Sequence, residues 1–349
     1  MLSTQLKSSP CQLQAIASLL IKSDLSADMI LEQNPELEKL LFNCLDETLD
    51  LAYGQSDVEA EQVLQHLLHE IISLRISPPQ RCSQELSVIL FKIEQKISTL
   101  WLKREIERVQ SETVDVPRNA DEFVAWFNKR CQNHPATNHR LFDFLAETAT
   151  REDLRFFMYQ ECSVDPRFDD MLALAQVGVS GQPKLEFFHN FSDELGHGNP
   201  HLVHTTMFNE LLTYLDIKKV RDDELLWQSL ACGNLMSILC LYRVYYYLCI
   251  GYLGATEALA PSRFAKLIRG AKRLGIPEER LVYHLEHTSV DEDHIQGWLA
   301  NIIKPEIVNN PEATVEIAQG VLLRLNISEA YCDAVLAVLE SQLLAVTQA

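Results

Sequence analysis

The sequence predicts an all-α fold. Leu, Ala, Glu and Gln are abundant while only 12 of 349 residues are Gly, a composition that favours helices over a doubly wound sheet. Apolar residues recur at spacings of three and four along most of the chain, and no segment alternates as a half-buried strand does. Proline and glycine cluster between these periodic stretches rather than within them.

The chain is long enough, and at 47% apolar residues rich enough in core-forming side chains, for one large or two modest domains. Helical periodicity covers residues 5–112. Leu13, Ile16, Leu19 and Leu20 open it, and Leu37, Leu40, Leu41, Cys44 and Leu45 continue it. Val63, Leu64, Leu67, Leu68, Ile71 and Ile72 form a third apolar face, which Ser77-Pro78-Pro79 ends because adjacent prolines remove donors and clash with the preceding turn. A further helix is expected over 83–112. Val114-Asp-Val-Pro117 is short and β-prone, so an N-terminal helical region of unknown role is set at 1–115 and the main bundle at 116–349.

Asn119 is placed to cap the first helix of the bundle, over 123–131. A helix over 141–149 follows the Asn133-His-Pro135 loop. Thr150-Arg-Glu-Asp153 has capping-box spacing and opens a helix through Leu154, Phe156, Phe157 and Glu161. The helix over 184–195 runs into Gly196-His-Gly198-Asn-Pro200, and helical periodicity resumes over 201–215. A long apolar helix is expected over 225–259, ended near Pro261, then a basic amphipathic one over 262–274 stopped by Gly275-Ile-Pro277. One helix over 278–303 and two more, over 311–325 and 328–344, complete the expected set.

The formal net charge of −19 argues against nucleic acid or an anionic membrane as a partner. The basic runs at Lys103-Arg104 and from Arg263 to Arg273 read as solvated helix faces. Nine cysteines, an odd number without a C-x-x-C pair, fit a reduced cytoplasmic protein. The N-terminus lacks the basic and apolar regions of a secretory signal. The most apolar stretch, 235–253, contains Arg243 and several tyrosines, so it reads as a buried bundle helix.

The chemistry gathers in His287-Thr-Ser-Val-Asp291-Glu-Asp-His294. Spacings of four and three place two imidazoles and a carboxylate on one stripe of a helix, as a metal site in a bundle requires. Glu161, Glu194 and Glu257 each sit at or near an apolar helix face, where a charge is costly unless paired or metal-bound. With Asp291 these four carboxylates carry about −4, enough to balance two Fe²⁺ ions. Glu194-x-x-His197 and Asp291-x-x-His294 match the Glu-x-x-His spacing of di-iron bundles, but Gly196, Gly198 and Pro200 disfavour a regular helix through His197, and His201 and His204 lie beyond the break. Ion pairing is the alternative for each carboxylate, with Arg243 or Arg263 as partners for Glu257. His197, His201 and His284 read as supporting or solvent-facing residues, and His66, His69, His134, His139 and His189 as structural ones.

Three segments together resemble the haem-oxygenase-like di-iron oxidases, also called the iron-containing redox enzyme family. They are Glu161-Cys-Ser-Val-Asp-Pro166, Asp193-Glu-Leu-Gly-His-Gly-Asn-Pro-His-Leu-Val-His204, and His287-x3-Asp291-x2-His294. The resemblance extends from about Asn119 to the C-terminus and implies a haem-oxygenase-like helical bundle. It implies two Fe²⁺ per chain, held by Glu161, Glu194, His204, Glu257, His287, Asp291 and His294. Some members carry a carboxylate where this chain has His201. The implied activity is O₂-dependent oxidation of a small organic substrate such as an amine, amino acid or fatty acid. No electron-transfer domain is visible, so an external reductant or the substrate itself must supply electrons. Two rivals remain: a metal-free interaction module, and a cofactor-independent enzyme of the thiaminase-II-like or pyrroloquinoline-quinone-synthase-like kind. The N-terminal region is compatible with covering the bundle, docking a partner or forming a homodimer.

Overall fold

The computed structural model of the chain describes residues 9–78, 83–288 and 290–347, without the side chains of Ser83, Asp165, 290–292 and 343–347. The described residues form helices joined by short loops and contain no strand, so the fold is all-α. No single described helix is long and apolar enough to cross a membrane. The chain divides into two compact units, Met1–Glu107 and Arg108–Ala349.

The first unit contains α1 (Ser9–Ile21), α2 (Ala27–Glu32), α3 (Pro35–Leu49), α4 (Val58–Ile76) and most of α5 (Val88–Val109). Its core is aliphatic, with Leu13, Leu20, Leu41, Leu45, Leu64, Leu68 and Ile93 almost fully buried. Buried charges are paired here, as burial demands: Arg75 with Glu94, and Arg104 with Glu61. The Gln84 side chain bonds the Ala27 amide and the Ser23 and Leu25 carbonyls, fixing the loop between α1 and α2.

The second unit contains α6 (Ala120–Asn133), α7 (Arg140–Glu147), α8 (Arg151–Glu161), α9 (Phe168–Ala175), α10 (Gly181–Glu194), α11 (His204–Tyr214), α12 (Trp227–Leu241), α13 (Tyr246–Arg273), α14 (Val282–His287), α15 (Val290–Gly297), α16 (Lys304–Asn309) and α17 (Thr314–Thr347). Asn119 caps α6 through its side chain, and Thr150 and Asp153 form both halves of a capping box at α8. The apolar stretch after Leu225 is not one helix. The chain leaves α12 at Tyr242, makes a short turn over Arg243–Tyr245 and resumes as α13 at a 100° bend. Pro261 does not end α13: the helix lacks one backbone donor there and continues, because Leu259 and Phe264 on either side are buried.

Two further expectations are corrected. The helix expected over 278–303 is segmented into α14, α15 and a π-helical turn at Trp298–Ile303, so His287 and His294 stand on different helices. The two expected C-terminal helices are one, α17, which runs through Asn326-Ile-Ser328 without a break.

Helices α13 and α17 pack back to back through glycines. A Cβ on Gly251 would lie 2.0 Å from the Ile317 carbonyl oxygen, and one on Gly320 would lie 2.0 Å from that of Leu248. Gly270 makes a similar approach to Leu145 on α7. Around α13, Leu145, Phe157, Phe208, Leu267 and Tyr331 form an apolar cluster that ties α7, α8, α11 and α17 together. Trp298 donates from Nε1 to the Ile250 carbonyl (2.8 Å) and meets Phe187 of α10 edge-on. That contact holds α10 against the segment following α15.

Replacing Gly320 with Val must force the α13–α17 backbones apart. The expected cost is about 2–3 kcal/mol, in the range for overpacked interiors, read as a lower urea midpoint with an unchanged slope. An unchanged midpoint would show that the close approach does not constrain the bundle.

Candidate metal centre

The site is assembled from helix ends. Glu194 is the last residue of α10, His204 the first of α11 and His287 the last of α14. The loop between α10 and α11 folds back tightly: Gly196 has φ 57°, and a Cβ there would lie 2.5 Å from the Leu202 carbonyl carbon. This glycine lets the chain reverse so that His204 returns to the side of Glu194. His197, on the outside of the same turn at φ 52°, is 73% exposed and lies 3.2 Å from Asp193. His201 is also exposed.

Glu194, His204 and His287 are all buried and present ligand atoms within 4.8 Å of one another. Two ligands about 2.1 Å from one ion lie about 3–4.2 Å apart, so only a small contraction separates this set from a coordination shell. Glu194 Oε2 is 2.7 Å from His204 Nδ1, and Glu286 Oε2 is 3.5 Å from His204 Nε2. Glu194 Oε1 is 3.9 Å from His287 Nε2. His287 Nδ1 lies 2.6 Å from the Tyr283 carbonyl, which only accepts, so Nδ1 carries the proton and Nε2 presents its lone pair toward Glu194. Burial lowers the His287 pKa to about 4, so the ring is neutral at pH 7, as a metal ligand must be. Burial also disfavours the His204 imidazolium, but the adjacent Glu194 carboxylate outweighs it and the His204 pKa is raised.

A second set lies beside the first through the neighbouring residue Asp193. His189, Asp193 and His294 also bring ligand atoms within 4.8 Å of one another. His294 is 2% exposed; its Nε2 lies 2.8 Å from Asp193 Oδ2 and its Nδ1 3.5 Å from Glu257 Oε2. Glu257 is buried on α13, and its Oε1 has no hydrogen-bond partner. Arg263 does not pair with it: that guanidinium donates to the Ala136 carbonyl instead.

Of the residues expected to bind metal, the structure therefore gathers Glu194, His204 and His287 in one set and places His294 beside Glu257. Glu161 lines the same cavity as Glu194, Glu257 and His287, but it accepts a hydrogen bond from Tyr331. Burial raises its pKa against the opposing effects of that bond, Arg263 and Arg324. The side chain of Asp291 lies outside the described residues. Sequence reasoning missed Asp193 and His189 as a pair. They are one helical turn apart on α10, and that i, i+4 spacing was the available signal.

Each set pairs two imidazoles with one carboxylate, a donor combination suited to non-haem iron with positions left open. Glu257 Oε1 is a buried polar atom without a hydrogen-bond partner that a cation would satisfy, so the residues present fit iron. Imidazole and carboxylate donors brought together from several helices are how metal sites are built into helical bundles. The chain belongs to the iron-containing redox enzyme family, whose sequence profile matches residues 155–329. The match runs from within α8 to near the middle of α17 and includes both ligand sets. A search of curated proteins finds no match.

The buried histidines make the metal-free protein acid-sensitive. Burial lowers the pKa of His284 to about 3 and that of His287 to about 4. Between about pH 6.5 and 4 the unfolded chain therefore binds more protons than the folded one, and stability falls with falling pH by up to about 1.4 kcal/mol per unit for each histidine. His284→Gln should flatten this slope, measured by urea unfolding at pH 7 and pH 5 in chelator. An equal slope in both proteins would mean that His284 is not held neutral by burial.

Proposed function

We propose that this protein is a non-haem di-iron oxidase that uses O₂ to oxidise a small organic substrate. The observation that carries this reading is the buried Glu194–His204–His287 set, whose ligand atoms lie within 4.8 Å of one another beside a second set of two imidazoles and a carboxylate. Glu194, His204 and His287 would hold one ion. Asp193, His189, His294 and Glu257 would supply the second, with Asp291 as a further donor expected from the sequence. Glu161, which lines the same cavity and accepts the Tyr331 hydrogen bond at Oε1 alone, is another donor expected from the sequence.

Bound iron supplies the electron-transfer and O₂ chemistry that these side chains cannot perform. The protein fixes the donors and keeps their charge state. The Tyr283 carbonyl holds the His287 tautomer, and burial keeps that ring unprotonated. Phe142, Leu259 and Phe264 line a cavity of about 70 Å³ beside Glu194, Glu257 and His287. Its apolar wall limits water and leaves room for a small reactive group next to the donors. Electrons not provided by the substrate come from an external reductant.

Protein loaded with Fe²⁺ under anaerobic conditions should bind about two ions per chain, by analogy with di-iron bundles, and consume O₂ on exposure. His204→Ala and His287→Ala should each lose at least about one ion per chain by elemental analysis, while keeping the helical circular dichroism of the parent. Wild-type iron content in both variants would overturn the assignment. An intact fold that never takes up metal would favour the metal-free rivals.

A further inference from the structure

The cavity beside the candidate ligands has a second chemical character at its other end. Arg263 on α13 and Arg324 on α17 both line it, and both are buried. They also line a smaller adjoining cavity of about 30 Å³, together with Glu161, Ser328 and Tyr331. Because α17 is continuous, Arg324, Ser328 and Tyr331 fall at i, i+4 and i+7 on one stripe facing this space.

The polar groups there are incompletely satisfied. Arg263 uses Nε and one terminal nitrogen on the Ala136 carbonyl. Arg324 lies over the Tyr252 ring, 5.4 Å from its centroid, and its Nε has no hydrogen-bond partner. Ser328 Oγ is also unpartnered. Glu161, bonded to Tyr331, is the only carboxylate lining the smaller cavity among the described residues. Two guanidinium ions opposite one carboxylate leave an excess of one positive charge in a buried space. An isolated buried charge and unpaired buried donors are each costly unless a ligand completes them.

We infer that this end of the cavity is an anion subsite in which Arg324, Ser328 and Arg263 receive a carboxylate of the substrate. This rests on the proposal that the adjoining cavity is the oxidase site. A monocarboxylate matches the single excess charge, and its two oxygens suit the planar donor fork of a guanidinium. The small volume admits only the head group, so the rest of the molecule extends past Glu161 toward Glu194, Glu257 and His287. The preferred substrate is thus a small carboxylic acid oxidised at a carbon or nitrogen away from its carboxylate.

Binding of butyrate, butyramide and butylammonium to the full-length protein, followed by calorimetry and ligand-observed NMR, tests this with and without a chelator. Butyrate should bind at least about 10-fold more tightly than butyramide, and butylammonium should not displace it. The preference should survive chelation, because it depends on arginine rather than iron. Arg324→Gln should weaken butyrate at least about 10-fold, with iron content unchanged. Ser328→Ala, a smaller perturbation, should weaken it less. Equal binding of acid and amide, no detectable butyrate binding, or binding that disappears with chelation would overturn the subsite. So would wild-type butyrate affinity in folded Arg324→Gln. If that variant does not fold, the wild-type comparison of acid, amide and chelator still decides. Butyrate binding in a protein that never takes up iron would remove the proposed oxidase function and leave the subsite standing.

Discussion

Burying a carboxylate inside an apolar helical bundle is the constraint on which the rest of this structure depends. Glu194 and Glu257 are each 4% exposed, and an isolated ionised carboxylate at such a position costs several kcal/mol even after relaxation. In the first unit the same problem is solved with arginines, at Arg75–Glu94 and Arg104–Glu61. In the second unit the nearest partners of Glu194 are the imidazoles of His204 and His287, and one of them is kept neutral by burial. Neutral His287 does not balance the charge of Glu194; in the metal-free chain the raised pKa of His204 offsets it, and a bound cation would take over that role.

The architecture serves that requirement by bringing helix ends, rather than helix faces, to one place. The tight turn at Gly196 returns His204 to Glu194, the end of α14 presents His287, and α15 carries His294 toward Asp193 and Glu257. Close packing of α13 against α17 through Gly251 and Gly320 fixes the wall that bears Glu257, Arg263 and Arg324. The cavity therefore has two ends of opposite demand. One gathers Glu194, Glu257 and His287 and suits a cation, and the other gathers Arg263 and Arg324 and suits an anion.

Much of the fold was legible in the sequence because it rests on local chemistry. The capping residues Asn119 and Thr150 act as their side chains dictate, and the glycines at 196 and 198 do interrupt the helix. The errors came where tertiary packing overrides local signals. No proline or glycine lies between Glu278 and Gln296 to announce the division between α14 and α15. Conversely, Pro261 carries a strong stop signal, yet α13 continues through it. Reading α17 as two helices hid the Arg324–Ser328–Tyr331 stripe. For the site, the spacing around His287 and His294 drew attention to residues that the structure sets beside Glu194, Asp193 and Glu257, but a single-helix reading placed both imidazoles on one helix, whereas they stand on two. The partnership of His189 with Asp193 was overlooked because an exposed histidine beside a carboxylate is ordinary in a helix.

Crystals of the protein grown anaerobically with Fe²⁺, measured on both sides of the iron absorption edge, test the central claim most directly. The account predicts an anomalous peak enclosed by Glu194, His204 and His287, with a second near Asp193, His294 and Glu257. No iron peak within coordinating distance of Glu194, in crystals where those side chains are ordered, would contradict it.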